Sequence, residues 1–149
     1  MKIVFQISTG NLYVQTPSLA FTIPATSGRG GCMNNASVAC QRTMNEGPIP
    51  VGDYYIDPAG LDDPNAIVDL ARNFNPKHIA DWGDFRVKIT SYPSTNTFAR
   101  DGFFLHGGSI LGSAGCIDVG GGVVGDERTN LLKLAIRASA TLIPVNVIA

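Results

Sequence analysis

The sequence predicts a mainly β (α+β) fold with one clear helix near the C-terminus, and three observations carry that prediction. Apolar and polar residues alternate in several short runs, the period of half-buried strands. Seventeen glycines and nine prolines are spread along the 149 residues, so tight turns separate those runs. One stretch alone, "ERTNLLKLAIRASA", combines helical spacing with a good N-cap residue, Asp126, just ahead of it.

The elements follow in order. "KIVFQISTGNLYVQT" puts Ile3, Phe5 and Ile7 on one side, breaks at Thr9-Gly10-Asn11 and resumes over Leu12 to Val14, which reads as a β-hairpin. "LAFTIPA", from Leu19, is a further short strand ended by Pro24. The polar, glycine-rich segment from Ser27 to Glu46 reads as a loop ordered by something other than its own core. "GPIPVGDYYIDPAG" is a rigid turn feeding a strand through Tyr54, Tyr55 and Ile56. "DDPNAIVDLARNF" is compatible with a helical turn or a strand. "FRVKITSY" alternates with Phe85, Val87 and Ile89 on one face, and "DGFFLHGG" is a strand that ends at its histidine. In the helix, Leu131, Leu132, Ala135 and Ile136 form the expected buried stripe. The final strand, "TLIPVNVIA", contains Pro144 and is therefore expected at a sheet edge.

Composition bounds the function. The chain is 44% hydrophobic and 15% charged, so it reads as one compact globular domain, residues 1–149, rather than a disordered chain. A formal charge of −1 leaves no basic footprint for nucleic acid and no polybasic membrane anchor. "MKIVFQI" lacks the apolar run of a signal peptide, and no stretch of about 18 apolar residues could span a bilayer. The expectation is a protein made in the cytoplasm without a cleavable leader, whose partner is read by a pocket.

The chemistry concentrates in "FFLHGGSILGSAGCIDVG", residues 103–120. His106 and Cys116 lie ten positions apart with little bulk between them. A metal reading is weak, because His78, Cys32 and Cys40 supply no closely spaced ligand pair. A phosphate-loop reading fails, because no Lys-Ser/Thr follows the last glycine. A buried Cys and a satisfied structural His would be the bland explanation. Against it, Gly107, Gly108, Gly112 and Gly115 strip side chains from both sides of one thiol and let backbone N–H groups approach a ligand. A nucleophilic cysteine needs such a setting: the imidazole activates the thiol, and the N–H groups of Gly115 and Cys116 would face an oxyanion. Cys32 and Cys40 flank seven mostly small or polar residues; they can close a disulfide loop or remain two free thiols.

His106-Gly107 followed by Ser113-Ala114-Gly115-Cys116-Ile117 resembles the "HG…SxGC" motif of the L,D-transpeptidase catalytic (YkuD-like) domain. With "TGNLY", "SGRGG…NN" and "GPIPVGDYY", the chain is most similar to the type VI secretion L,D-transpeptidase effectors, over most of residues 9–118. The resemblance implies a β-sandwich or barrel of short strands, and a toxin that acts on peptidoglycan stem peptides. It makes Cys116 the nucleophile, His106 the general base and acid, and Ser113 a positioning residue, with the oxyanion bound around Gly115 and Cys116. Substrate would be bound along Gly107 and Gly108 and by Arg100, which sits where related sequences often carry an arginine. Two departures stand out: Ala114 replaces a frequent His, and Ile117-Asp118 replaces a frequent Arg or Asn. The substrate carboxylate would then fall to Arg29, Arg42 or Arg100.

The implied reaction is acyl transfer: L,D-carboxypeptidase, transpeptidase or D-amino acid exchange chemistry through a Cys thioester, with no metal or organic cofactor. The resemblance also implies delivery to the periplasm of target bacteria and a cognate immunity protein, and nothing in the sequence demands more than a monomer. Trp82, Tyr54, Tyr55 and Tyr92 read as packing rather than glycan platforms, and His78 as surface. A papain-like peptidase is disfavoured, since His106 precedes Cys116. The rival from another class is a non-catalytic wall-binding or phage-structural module on the same fold.

Overall fold

The computed structural model describes residues 1–63, 83–110, 112–122 and 124–149. Most of "DDPNAIVDLARNF", with His78 and Trp82, lies outside these residues.

β1 (Lys2–Gln6) and β2 (Asn11–Gln15) form the expected hairpin, turning through Gly10 at φ 63°. Its register sets Ile3 opposite Val14 and Phe5 opposite Leu12, and all four are fully buried. β3 (Ala20–Pro24) adds antiparallel to β2. β4 (Gly52–Ile56), β5 (Arg86–Ser91), β6 (Phe104–Gly108), β7 (Ile117–Gly121) and β8 (Ile143–Ile148) complete one eight-stranded sheet. Its order is β3-β2-β1-β8-β4-β5-β6-β7, with β1–β8 and β6–β7 parallel and the other pairs antiparallel.

The two ends of this sheet meet. Just past β3, Thr26 exchanges backbone hydrogen bonds of 2.8 Å with Asp118 of β7, curling the sheet into a nearly closed barrel. Every strand contributes buried apolar side chains to one core, to which Leu132 and Ile136 of the helix add. Among the described residues, no helix is long and apolar enough to cross a membrane, and no three metal-ligating side chains cluster.

Four local expectations are corrected. The Ser27–Glu46 segment is not only loop: it holds a 3-10 turn at Gly30–Cys32 and a short helix, α1 (Val38–Arg42), capped by the Ser37 side chain. β6 continues two residues past His106, because Gly107 and Gly108 still pair with the neighbouring strands. β8 lies in the middle of the sheet rather than at an edge. It tolerates Pro144 because that residue, opposite Tyr55, precedes Val145, where pairing with β1 begins.

The fourth correction concerns α2 (Glu127–Arg137), whose inward face is Thr129, Leu132, Lys133 and Ile136, while Leu131 is exposed. An ion pair turns the helix: Lys133 Nζ reaches Asp84 at 2.6 Å and Asp63 at 3.3 Å. Apolar periodicity reads a lysine as surface and so rotates the stripe by a residue.

Candidate active site

Parallel pairing of β6 with β7 brings the two ends of the glycine-rich stretch side by side. Leu105 sits opposite Ile117 and His106 opposite Asp118. Leu105 and Ile117 point into the core, so by strand alternation His106 and Asp118 share the other face. Cys116 precedes β7 by one residue and Asp118 by two, which continues that face. The sulfur lies against the entry to β6, 3.9 Å from the Gly102 carbonyl, with the Phe104 N–H directed at it.

Cys116, the free cysteine of the chain, is 9% exposed and His106 4%. Burial is the main influence on the thiol and pushes its pKa up to about 11; the Phe104 N–H and Arg100 pull it down, and Asp118 pushes it up. The Nδ1 of His106 contacts the Gly107 carbonyl. A carbonyl can only accept, so this contact suits the tautomer protonated on Nδ1. Arg86 of β5 faces His106 from the other side and is paired with Asp62 at 3.0 Å.

Ser113 donates from Oγ to the Cys116 carbonyl at 2.6 Å, and its N–H donates to the Gly28 carbonyl at 3.0 Å. It therefore ties the Ser-Ala-Gly-Cys turn both to itself and to the loop after β3. Gly115 has φ 104°, and a Cβ there would meet Arg100 Nη2 at 2.6 Å and the Phe103 ring at 3.0 Å. Only glycine satisfies both constraints.

Arg100 is buried beneath this turn. Nη1 donates to the Gln41 and Pro48 carbonyls at 2.6 and 2.7 Å, Nη2 donates to Gly47 at 2.8 Å, and the guanidinium stacks 5.7 Å over Phe103. Burial pulls its pKa down, against the favourable influence of Tyr54 and Cys116. Its charge is thus fixed by backbone carbonyls near the sulfur rather than presented outward. Arg42 is stacked over Phe98 at 5.2 Å, while Arg29 is exposed on the loop that touches Gly112.

Gly107 and Gly108 are buried, and their surroundings are filled. A Cβ at Gly107 would meet the Asp84 carboxylate at 2.5 Å, and Gly83 packs directly on the Gly107–Gly108 peptide. The Gly107 N–H donates to Phe85 and the Gly108 carbonyl accepts from Gly122. Their small size admits the chain before β5 rather than opening a ligand path. Cys32 and Cys40 are joined in a disulfide, Cα atoms 5.2 Å apart. Sequence reasoning gave no role to Asp118, Gly28 or the carbonyls of Gln41, Gly47 and Pro48. The signal for Gly28, Gly47 and Pro48 was the concentration of glycine and proline in "SGRGG" and "GPIP", Asp118 showed only as a departure from the family pattern, and Gln41 carried no signal.

Comparison with known proteins follows this geometry. The family model of the Tlde1 domain matches residues 22–131. L,D-transpeptidase 1 of Mycobacterium tuberculosis aligns over 99% of this chain and 60% of its own, with 16% identity and a TM-score of 0.51. An L,D-transpeptidase from Mycobacterium smegmatis aligns over 99% and 58%, with 14% identity and a TM-score of 0.52. These likenesses are of fold, and the chain spans about three fifths of the length of those structures. No curated protein matches the chain.

Proposed function

The chain belongs to the Tlde1 domain family, the type VI L,D-transpeptidase effectors, on an L,D-transpeptidase-like fold, and from that premise we propose that it acts on peptidoglycan stem peptides through a thioester on Cys116. One observation supports this reading most: Cys116 stands at the head of β7 on the face of His106, after a glycine whose φ of 104° and contact with Arg100 strain any side chain placed there.

In the proposed reaction, His106 Nε2 takes the Cys116 proton as the sulfur attacks the carbonyl of the L-centre of the diamino acid. The backbone around Gly115 and Cys116 holds the oxyanion. Collapse breaks the amide, the departing D-alanine amine takes the proton back from His106, and the acyl group stays on sulfur. Water then gives L,D-carboxypeptidase action; an amine gives cross-linking or D-amino acid exchange. Ser113 holds the turn. Of the three arginines considered, Arg29 is the one both exposed and beside the turn, so we assign it the substrate carboxylate. The work of the protein would lie in the periplasm of a target cell after type VI delivery, opposed by an immunity protein.

The burial of Cys116 favours a second reading, a non-catalytic module that binds cell wall. Purified protein incubated with tetrapeptide and pentapeptide muropeptides separates the two by mass spectrometry. Loss or exchange of D-alanine that disappears in Cys116→Ala and His106→Ala supports the enzyme. Intact muropeptides, with wall binding that survives Cys116→Ala, support the module.

A further inference from the structure

The Cys32–Cys40 disulfide lies outside the reacting residues, yet two routes connect it to Cys116. On the first, Cys40 belongs to α1, whose next residue, Gln41, offers its carbonyl to Arg100. Gly47 closes over the same place: a Cβ there would lie 2.0 Å from the Cys40 carbonyl and 2.9 Å from Arg100 Nη1. Arg42, also in α1, stacks on Phe98, and Phe98 and Ala99 both hold φ in the left-handed region (54° and 58°) to aim Arg100 inward. Arg100 then packs against Gly115. On the second route, a Cβ at Gly28 would meet the Cys32 carbonyl at 2.5 Å and Pro48 N at 2.8 Å, and the Gly28 carbonyl holds the Ser113 N–H.

The cradle is also tied by hydrogen bonds from Ile49 N to Ser27 Oγ, from Val51 N to Gln41 Oε1 and from Arg29 N to Glu46 O, but the disulfide is its redox-sensitive tie. α1 is five residues long, too short to be stable alone, and its flanks are loop. We propose that Arg100 is the positioning residue through which the Cys32–Cys40 disulfide assembles the Cys116 site, so that the site is taut in oxidising surroundings and slack in reducing ones. This rests on reading Cys116 as the reactive thiol. Oxidation proceeds by thiol–disulfide exchange: the two thiols and one disulfide of an oxidised glutathione-like donor give the protein disulfide and two donor thiols. Cytosolic glutathione keeps the pair reduced and an oxidising compartment closes it, which would leave the protein inert where it is made.

The groups acting on the sulfur are Arg100, with Tyr54 packed near it, Asp118 from β7 and the Phe104 N–H from β6, while His106 stands opposite Asp118 on the ladder. The test compares oxidised wild type, wild type reduced by dithiothreitol, Cys32→Ser/Cys40→Ser, Arg100→Met and Arg100→Lys. Each is measured for the pH profile of Cys116 alkylation by iodoacetamide, resolved by peptide mapping, and for amide exchange at 41–48 and 113–116. Arg100→Met should raise the alkylation midpoint by about one pH unit, roughly tenfold slower reaction below it, the size expected for removing one nearby cation. Arg100→Lys should restore the midpoint but not the exchange protection. Reduction and the double serine variant should lose protection in both segments together.

Should the reduced forms unfold, the Arg100 variants, which keep the disulfide, still decide. Unchanged profile and exchange in both overturn the proposal, as does a folded double serine variant indistinguishable from oxidised wild type. Coupled loss of protection without any muropeptide turnover by the oxidised protein would sink the enzymatic reading and leave this coupling standing.

Discussion

Replacing Gly115 by alanine should cost far more than replacing an equally left-handed glycine elsewhere, and the difference measures how tightly the turn is built onto Arg100. Gly30 is the control: its φ is +56° and a Cβ there meets nothing within 4 Å. Alanine at 30 pays only for a left-handed backbone, about 1 kcal/mol. At Gly115, φ of +104° lies beyond the left-handed helical well, and the Cβ falls 2.6 Å from Arg100 Nη2. The backbone term is about 2 kcal/mol. The guanidinium cannot swing aside without releasing one of its three carbonyls, which adds about 2 kcal/mol for a charge-assisted hydrogen bond. The expected loss of about 4 kcal/mol lowers the melting temperature by roughly 10 °C, against about 3 °C for Gly30→Ala, in a domain of this size. Thermal unfolding followed by circular dichroism, with the disulfide intact, reads both. Melting temperatures for the two variants within about 2 °C of each other would refute the reasoning.

Three further outcomes are expected. Asp118→Asn removes the carboxylate that pushes the Cys116 pKa up, so alkylation at pH 8.5 should accelerate roughly threefold to tenfold, and an unchanged or slower rate counts against that assignment. Lys133→Met leaves Asp84, 2% exposed, without its ion partner and should cost about 3 kcal/mol or more in urea unfolding. Burial lowers the Lys133 pKa, but Asp84 and Asp63 outweigh it and the net shift is upward; its stabilisation is therefore complete below about pH 10 and fades as pH rises through the folded value, a decline the variant should lack. Asp126→Ala breaks a reciprocal cap, in which Asp126 accepts from Arg128 N and Thr129 N while Thr129 Oγ1 accepts from Asp126 N at 2.8 Å; about 1 kcal/mol and 2–4 °C should be lost.

What the sequence made legible was whatever depends on neighbours along the chain. Alternation placed β1, β2, β3 and β5, and Asp126 announced its helix, because a strand's period and a cap's hydrogen bond are local. Pro144 misled because a strand's place in a sheet is set by its partners; the parallel pairing of β1 with β8 joins the two ends of the chain. Lys133 misled because its counter-ions, Asp63 and Asp84, come from elsewhere in the sequence. Around the candidate site the same division holds. His106, Ser113 and Cys116 stand in one short stretch with legible spacing, while the Arg100 cradle is closed by carbonyls more than fifty residues away.

That division bears on how a thiol with a pKa of about 11 could serve as a nucleophile. Relative to a free cysteine near 8.5, forming the thiolate in this pocket costs about 3 kcal/mol more. The thiol is therefore the resting form, and on the proposed mechanism the proton would move to His106 only as sulfur bonds to carbon. In that step the negative charge passes from sulfur to the carbonyl oxygen, so the desolvation that penalises the thiolate no longer acts on it. Asp118, which opposes the thiolate, sits opposite His106 across the β6–β7 ladder. Arg100 and the Phe104 N–H offset part of what burial imposes on the sulfur. On the proposed mechanism, Asp118 and the Arg100 guanidinium act with opposite sign on the thiol that gives up its proton, the first placed by the β6–β7 register and the second held by the carbonyls of Gln41, Gly47 and Pro48.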